Sequence, residues 1–154
     1  MKRTLLKIWR ILPFWLQRIA SAILRPHYQV TVGAMILNDQ DQLLLCEHTY
    51  RRLHAWGLPG GDLKTGEDPL DGIKREILEE TGLRVREVRL LLVENSTEIH
   101  QVALTYLCTG VSGTFIPNEE VSSIRYFDTG KLPEFFHEHR ITIEKCLAIL
   151  NSEN

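Results

Sequence analysis

The chain after residue 26 alternates between apolar, β-branched runs and short polar turns. The run Tyr28–Leu37 is followed by the polar turn Asn38–Gln42 and then by a second apolar run, Leu43–Glu47. Apolar runs of this length on either side of a polar turn are typical of strands. The pattern therefore predicts two strands joined as a hairpin.

The second half of the chain continues this pattern and ends in a helix. Val85–Glu94 and His100–Thr109 are predicted strands around the turn Asn95–Thr97, and Ser123–Phe127 is a further one. Glu134–Leu150 is predicted to be a terminal helix because its apolar residues recur at helical spacing. Strands and helices together indicate the α+β class.

Between these groups of strands, Pro69–Thr81 is predicted to form a helix. Asp68 is a suitable N-cap, proline suits the first helical position, and Gly82 stands where a left-handed residue commonly ends a helix. Apolar residues at i, i+3 and i+7 give the helix a narrow stripe that can dock on a sheet. These residues are Leu70, Ile73 and Ile77.

Residues 1–25 form a different segment, which is basic and amphipathic. Its apolar residues fall along one helical stripe, and Pro13 is expected to kink the helix or to split it. Basic residues interrupt every apolar run, so the segment lacks the roughly 20 apolar residues of a transmembrane helix. The stripe consists of Leu5, Ile8, Trp9, Leu12, Leu16, Ile19, Ala20 and Ile23.

Three interpretations of this segment stay open. In the first, the stripe packs on the body of the protein or forms a homodimer contact. In the second, it is a peripheral membrane helix with Trp9, Phe14 and Trp15 at the interface. In the third, it is an organelle-targeting peptide, since such peptides are rich in arginine and poor in acids. In each case residues 1–25 are an amphipathic helical extension, and residues 26–154 form one domain.

Length and composition are those of one soluble globular domain: 154 residues, 44% hydrophobic and 25% charged. The net charge of −2 hides an asymmetry, because residues 1–25 carry six basic and no acidic residues and the rest of the chain is at −8. An acidic body repels a phosphate backbone, which argues against nucleic acid as a partner. The three cysteines show no C-x-x-C spacing, and free thiols fit a reducing cytoplasm.

The predicted helix carries three glutamates at i, i+3 and i+4: Glu76, Glu79 and Glu80. Carboxylates at this spacing share one face and repel one another by roughly a few tenths of a kcal/mol per pair. A solvated acidic surface is the ordinary interpretation of such a run. The functional interpretation is a hard divalent cation, Mg²⁺ or Mn²⁺, bound by these oxygens together with substrate phosphates.

The residues spaced around the glutamates favour the metal-binding interpretation. Gly61, Glu67 and the run Arg75–Leu83 together resemble the Nudix box, G-x5-E-x7-R-E-U-x-E-E-x-G-U with U aliphatic, and every defined position matches. The preceding run WGLPGG is similar to the usual lead-in of that family. The resemblance implies a Nudix hydrolase: an α/β/α sandwich with a mixed sheet, whose loop–helix–loop motif cleaves a nucleoside diphosphate linked to another group.

The resemblance also implies roles for individual residues. Glu79 and Glu80 would lie closest to the metal, and a distal glutamate, matched here by Glu120, would reach the metal or act as the general base. In some members the base is the glutamate matched by Glu76. The catalytic candidates are thus Glu76, Glu79 and Glu120. The metal-ligand candidates are Gly61 through its carbonyl, with Gly60 as an alternative, and Glu76, Glu79, Glu80 and Glu120. The structural positions of the motif are Gly60, Glu67, Arg75 and Gly82, with Arg75 pairing with Glu67 or a neighbouring carboxylate.

The loop before the glycine turn contributes Arg51 and Arg52 as candidates for substrate binding, because an arginine fork suits phosphate oxygens. Solvated loop charges are the alternative, and His48 is predicted to be an ordinary polar residue.

The expected activity is Mg²⁺-dependent hydrolysis of a nucleoside triphosphate, oxidised ones included, or of a nucleotide-sugar or ADP-ribose type of substrate. It is expected in the cytoplasm, or peripherally on a membrane. The alternative is a non-catalytic Nudix domain that senses a nucleotide.

Overall fold

The computed structural model describes residues 9–24, 27–53, 55–134 and 137–153. Within these residues we label the longer helices and all strands in chain order. The helices are α1 (Phe14–Leu24), α2 (Pro69–Thr81) and α3 (His137–Glu153). The strands are β1 (Gln29–Ile36), β2 (Gln42–His48), β3 (Trp56–Gly57), β4 (Gly60–Asp62), β5 (Leu83–Arg84), β6 (Glu87–Ser96), β7 (Gln101–Thr109), β8 (Ser112–Gly113) and β9 (Val121–Asp128).

The strands form a mixed sheet and two smaller antiparallel ones. The largest sheet has the order β4-β1-β7-β6, in which β1 runs parallel to β7 and the other pairs are antiparallel. A second sheet has the order β3-β2-β9, and β5 pairs with β8. The predicted α+β class with a mixed sheet is confirmed.

The predicted hairpin of the first two strands is wrong. β1 pairs with β4 and β7, whereas β2 pairs with β3 and β9, so the two strands belong to different sheets. In the described residues a single bridge, Leu37 to Leu43, joins their ends across the polar turn. Each strand already has a neighbour on both edges, which leaves neither edge available for the other.

The boundaries of the later elements also differ from those predicted. β6 and β7 are an antiparallel pair as expected, but β6 continues to Ser96 and the turn moves to residues 97–100, where His100 adopts a φ of 51°. The terminal helix begins at His137 rather than Glu134 and ends at Glu153; residues 135 and 136 lie outside the described residues.

The hydrophobic core has two parts that lie on opposite faces of β1. Val32, Ala34 and Ile36 face one cluster, which includes Ile73 and Ile77 of α2. Met35 faces the other cluster, which includes Ile143 and Cys146 of α3. Strand residues point alternately to the two faces of a sheet, so β1 is covered by a helix on each side. This layering is the α/β/α sandwich that the sequence predicted.

The signals for α2 define both of its ends. Asp68 accepts a hydrogen bond from the Leu70 N–H at 2.8 Å, and Gly82 adopts a φ of 72° while donating to the Leu78 carbonyl. The predicted stripe is only partly correct, because Leu70 is 43% exposed. Leu63, which packs against the helix at Gly72 and joins the core cluster, takes the place predicted for Leu70.

The N-terminal segment is divided at Pro13. Residues 9–11 are helical and α1 begins at Phe14, so the proline splits the helix as predicted. Residues 1–8 and 25–26 lie outside the described residues. In the part of the chain that is described, no helix has both the length and the apolar character needed to cross a membrane.

Replacing Gly82 with alanine is expected to destabilise the protein by about 2 kcal/mol, because a side chain at left-handed φ costs about 1–2 kcal/mol. In addition, the new Cβ would lie 2.9 Å from the Thr114 carbonyl oxygen. Gly66→Ala is the matched control, since Gly66 has a φ of 80° but open space around its Cβ position. Urea unfolding should show the larger loss for Gly82→Ala, and an equal or smaller loss would contradict this account.

Candidate active site

A glycine turn next to β1 forms one wall of the site. β4 pairs with β1 so that Gly60 lies opposite Gly33 and Gly61 opposite Val32. Gly60 has a φ of 148°, and a Cβ there would overlap the Val32 carbonyl. At Gly61 a Cβ would lie 2.8 Å from the Glu76 carboxylate. Both glycines are therefore required for the backbone to approach β1 and α2 this closely.

Glu80 is the buried acid of the site. Its side chain is 3% exposed, and its Oε2 accepts a hydrogen bond from the Gly60 N–H at 2.8 Å. Burial raises the pKa of this carboxyl to about 7, and the charges of Glu76 and Glu120 add to the effect. The Gly60 hydrogen bond and the positive charge of Arg51 act in the opposite direction. The carboxyl of Glu80 is therefore harder to ionise than an exposed glutamate.

His48, at the end of β2, lies beside this acid. It is 1% exposed, and its Nδ1 is 3.7 Å from Glu80 Oε1. Burial and the nearby charge of Arg51 lower its pKa to about 4, although the Leu58 backbone acts in the opposite direction. The imidazole is therefore neutral at pH 7 and does not neutralise Glu80. Sequence reasoning treated His48 as an ordinary polar residue; its place after the apolar run of β2 was the available signal for burial.

Arg75 holds the acidic face of α2 together. Its Nε and Nη2 donate to the two oxygens of Glu67 at 2.7 and 2.9 Å, a bidentate pair. Its Nη1 donates to Glu76 Oε1 at 2.6 Å and to Glu79 Oε2 at 2.8 Å. The hydrogen bonds from Arg75 and from the Lys64 backbone lower the Glu67 pKa to about 2. Arg75 of α2 thus bonds directly to Glu67 of the preceding loop, as expected for a pair that fixes this loop to the helix.

The three helix glutamates occupy different depths. Glu80 is buried against Gly60, Glu76 is 12% exposed beside Gly61, and Glu79 is 53% exposed. Glu79 Oε1 also lies 3.6 Å from Lys64 Nζ. Glu76 and Glu80 therefore lie at the glycine turn, whereas Glu79 lies at the solvent-exposed rim.

Asn118 attaches the Glu120 loop to α2, a role that the sequence analysis missed. Its Nδ2 donates to the carbonyls of Glu79 and Glu80 at 2.9 and 3.0 Å. Its Oδ1 accepts from the N–H groups of Glu120 and Val121 at 2.9 and 2.8 Å. An asparagine two residues before Glu120 is the signature of an Asx-turn, which was the available signal. The Thr49 N–H holds the same loop through the Glu120 carbonyl at 2.9 Å.

A pocket of about 320 Å³ opens beside the glycine turn. Its lining includes Gly33, Tyr50, Arg51, Gly61 and His139. The guanidinium of Arg51 lies over Gly57, since a Cβ on that glycine would be 2.6 Å from Arg51 Nη1. From the sequence alone, Arg51 and Arg52 were equivalent candidates for substrate binding. The structure places Arg51 in the pocket wall, whereas Arg52 is exposed and does not line the pocket.

The donor set suits a hard cation. Among the described residues no three carboxylate, imidazole or thiol groups form a preformed metal cage. A cage is not required for Mg²⁺, which commonly uses one or two carboxylates and completes its shell with waters and substrate phosphates. Burial is the main cause of the raised pKa of Glu80, and the nearby charges of Glu76 and Glu120 raise it further; a cation would offset this repulsion. The residues present therefore fit Mg²⁺.

A sequence model of the NUDIX domain matches residues 27–146. The chain belongs to the Nudix hydrolase family. Its glycine turn, α2 and Arg75 cluster are thus the Nudix box folded as loop, helix and loop. Family membership places the protein among the enzymes that hydrolyse pyrophosphate bonds of nucleotides.

The chain is similar to Nudix proteins that are named for different activities. It is 27% identical over 129 residues to an ADP-ribose pyrophosphatase of Methanocaldococcus jannaschii, covering 81% of this chain and 76% of that protein. It is 33% identical over 123 residues to an RNA pyrophosphohydrolase of Psychrobacter sp. (strain PRwf-1), covering 71% of this chain and 68% of the relative. The crystal structure of a MutT NUDIX hydrolase from Burkholderia pseudomallei is 29% identical and has a TM-score of 0.68, covering 78% of this chain and 98% of that one.

Replacing Glu80 with glutamine is expected to stabilise the metal-free protein at pH 8 by on the order of 2 kcal/mol. The pKa of Glu80 is raised from 4.5 to about 7 in the folded protein. The native state therefore binds this proton more tightly than the unfolded chain, and the wild type loses stability as the pH rises from 4.5 to about 7. Glutamine still accepts from the Gly60 N–H but carries no charge, so the difference should approach zero near pH 4.5.

Urea unfolding in EDTA at both pH values measures this difference. Glu119→Gln, at an exposed glutamate in the neighbouring loop, is the control and should change little at either pH. Equal stabilisation by Glu80→Gln at both pH values would contradict the assignment of a raised pKa to Glu80.

Proposed function

We propose that the protein hydrolyses a pyrophosphate bond in a nucleoside diphosphate linked to another group, by Mg²⁺-dependent attack of water. The observation that supports this most directly is the meeting of Glu80 and Glu76 at the glycine turn, beside a pocket that contains Arg51. Carboxylates for a cation thus lie at the glycine turn, and Gly60 and Gly61 of that turn line the pocket together with an arginine for phosphate. Such an arrangement suits a substrate that carries phosphates and a metal together.

The residues that would hold the metal are Glu76, Glu79, Glu80 and the Gly61 carbonyl. When bound, Mg²⁺ or Mn²⁺ supplies Lewis-acid chemistry: it lowers the pKa of water and offsets charge on phosphate oxygens. Arg75 positions this set, because it fixes one oxygen of Glu76 and one of Glu79 at 2.6 and 2.8 Å. Arg51, which lines the pocket, would bind the substrate phosphates.

We assign the general base to Glu120 rather than to Glu76. Glu76 Oε1 already accepts a hydrogen bond from Arg75 at 2.6 Å, which leaves one oxygen for a metal. Glu120 lies on a loop that Asn118 and Thr49 fix beside α2, and its charge acts on Glu80. A carboxylate held there can accept the proton of the attacking water.

The rest of the substrate would occupy the pocket between the glycine turn and α3. The proposed substrates are nucleoside triphosphates, including oxidised ones, and nucleotide-sugar or ADP-ribose types. The relatives are named for different substrates, ADP-ribose and RNA. This variety is expected if the site for the diphosphate is shared and the neighbouring loops differ. The cytoplasm is the proposed setting, where the buried free thiols Cys46, Cys108 and Cys146 would stay reduced.

The test is phosphate release from a panel of ordinary and oxidised nucleoside triphosphates, ADP-ribose, sugar nucleotides and dinucleoside polyphosphates, with and without Mg²⁺. Phosphatase or pyrophosphatase is added as each product requires. Metal-dependent release from one preferred substrate is expected. Nucleotide binding without release from any member would reject catalysis in favour of a nucleotide sensor.

Carboxylate variants should separate metal binding from proton transfer. Glu79→Gln and Glu80→Gln each remove an anionic ligand, so both should raise the Mg²⁺ concentration needed for half-maximal rate. Glu120→Gln should lower kcat by about 10²–10⁴ with little change in the Mg²⁺ requirement. Glu119→Gln serves as the control. An unchanged Mg²⁺ requirement together with near wild-type turnover in Glu79→Gln and Glu80→Gln would reject the metal assignment.

Gly33→Val is expected to raise KM about tenfold or more while changing the free energy of unfolding by less than about 0.5 kcal/mol. Gly33 lines the pocket, and a Cβ there meets no other atom within 4 Å, so a side chain at this position would extend into the cavity from an open position. Gly130→Val is the matched control, because its Cβ position is equally open but lies outside the pocket lining. Unchanged steady-state kinetics for Gly33→Val would exclude this pocket as the substrate site.

A further inference from the structure

The described part of the N-terminal segment exposes large apolar side chains. Those that are at least half exposed are Ile11, Phe14, Trp15, Ile19, Ile23 and Leu24. On α1, Trp15, Ile19 and Ile23 follow one another at i, i+4 and i+8, so they form one line along the helix. We call these three residues the α1 stripe.

Neither part of the hydrophobic core includes this segment. Among the described residues, the members of both clusters and the side chains packed against them all lie at or after Val32. Gln17 Nε2 donates to the carbonyls of Trp9 and Leu12, both at 2.9 Å, so these hydrogen bonds connect the segment to itself. Among the described residues, the α1 stripe is therefore not part of the hydrophobic core of the protein.

The charge of the segment indicates what can cover the stripe. Arg10 and Arg18 are exposed, and residues 1–25 carry six basic residues and no acidic one, whereas the rest of the chain is at −8. A symmetric contact between two copies through this stripe would bring two basic segments together. An anionic surface that also accepts apolar side chains would instead match both features.

We infer that α1 binds the surface of an anionic lipid bilayer. Trp15, Ile19 and Ile23 enter the boundary between headgroups and acyl chains, about 5–10 Å deep. Arg10 and Arg18 lie against lipid phosphates, with their aliphatic stems along the apolar surface. Tryptophan favours this boundary because its ring is apolar and its N–H is polar. The helix lies on the membrane and does not cross it, which agrees with its length of 11 residues.

Flotation of the full chain with lipid vesicles, in the absence of nucleotide, tests this inference independently of catalysis. The protein should float with phosphatidylcholine vesicles that contain phosphatidylglycerol, and binding should weaken as salt increases. Binding to pure phosphatidylcholine should be much weaker. Arg10→Gln combined with Arg18→Gln should weaken binding to the anionic vesicles by roughly 30-fold. Equal binding to both vesicle types, or binding to neither, would overturn the inference.

A matched pair of substitutions locates the contact. Ile19 is 50% exposed on the stripe, and Val93 is 53% exposed on β6, an edge strand of the large sheet. Ile19→Glu should lower vesicle binding at least tenfold, and Val93→Glu should not change it. Both variants should hydrolyse substrate in solution at the wild-type rate. If Ile19→Glu instead dissociates a homodimer in sedimentation equilibrium and leaves vesicle binding unchanged, the stripe is a contact between copies and the inference is wrong.

Discussion

A carboxylate buried against a glycine amide is the interaction on which the site depends. Glu80 comes from α2, the N–H that it accepts comes from Gly60 of β4, and the neutral imidazole beside it comes from β2. Burying a charge is costly unless it is hydrogen-bonded and offset by other charges. The fold supplies the hydrogen bond but adds the charges of Glu76 and Glu120 nearby. It thereby gathers several carboxylates at the place where a cation would be held.

The strand order makes this arrangement possible. β1 is covered on one face by α2 and on the other by α3, and β4 joins its edge. One face of β1 is therefore filled by apolar side chains that position the catalytic helix. The opposite face has Gly33 beside the glycine turn, where the missing side chain leaves room for a pocket. Rigid packing and an open cavity thus lie on the two sides of one strand.

The sequence could predict those parts of the fold and the site whose signals lie within a few neighbouring residues. Asp68, Pro69 and Gly82 mark the ends of α2 within a few residues of chain, so its bounds were correct. The spacing of the glutamates revealed the family because it is also local. The first hairpin was wrong because an apolar run specifies burial but not which strand it will pair with. His48 and Asn118 were missed because their roles arise from distant contacts; Asn118 meets Glu79 across 39 positions of the chain.

The anchoring of Asn118 has a consequence for how such a protein can diversify. Because its side chain bonds both to the end of α2 and to the backbone of Glu120, the position of the loop is set at Asn118 itself. The residues between β8 and Asn118 are mostly exposed. A change of length in that stretch must still keep the Ile116 N–H at the Thr81 carbonyl and Phe115 against the core, and Asn118 then holds Glu120 beside the end of α2. One side-chain amide thus makes the placement of the Glu120 loop depend on the helix that carries the other acids.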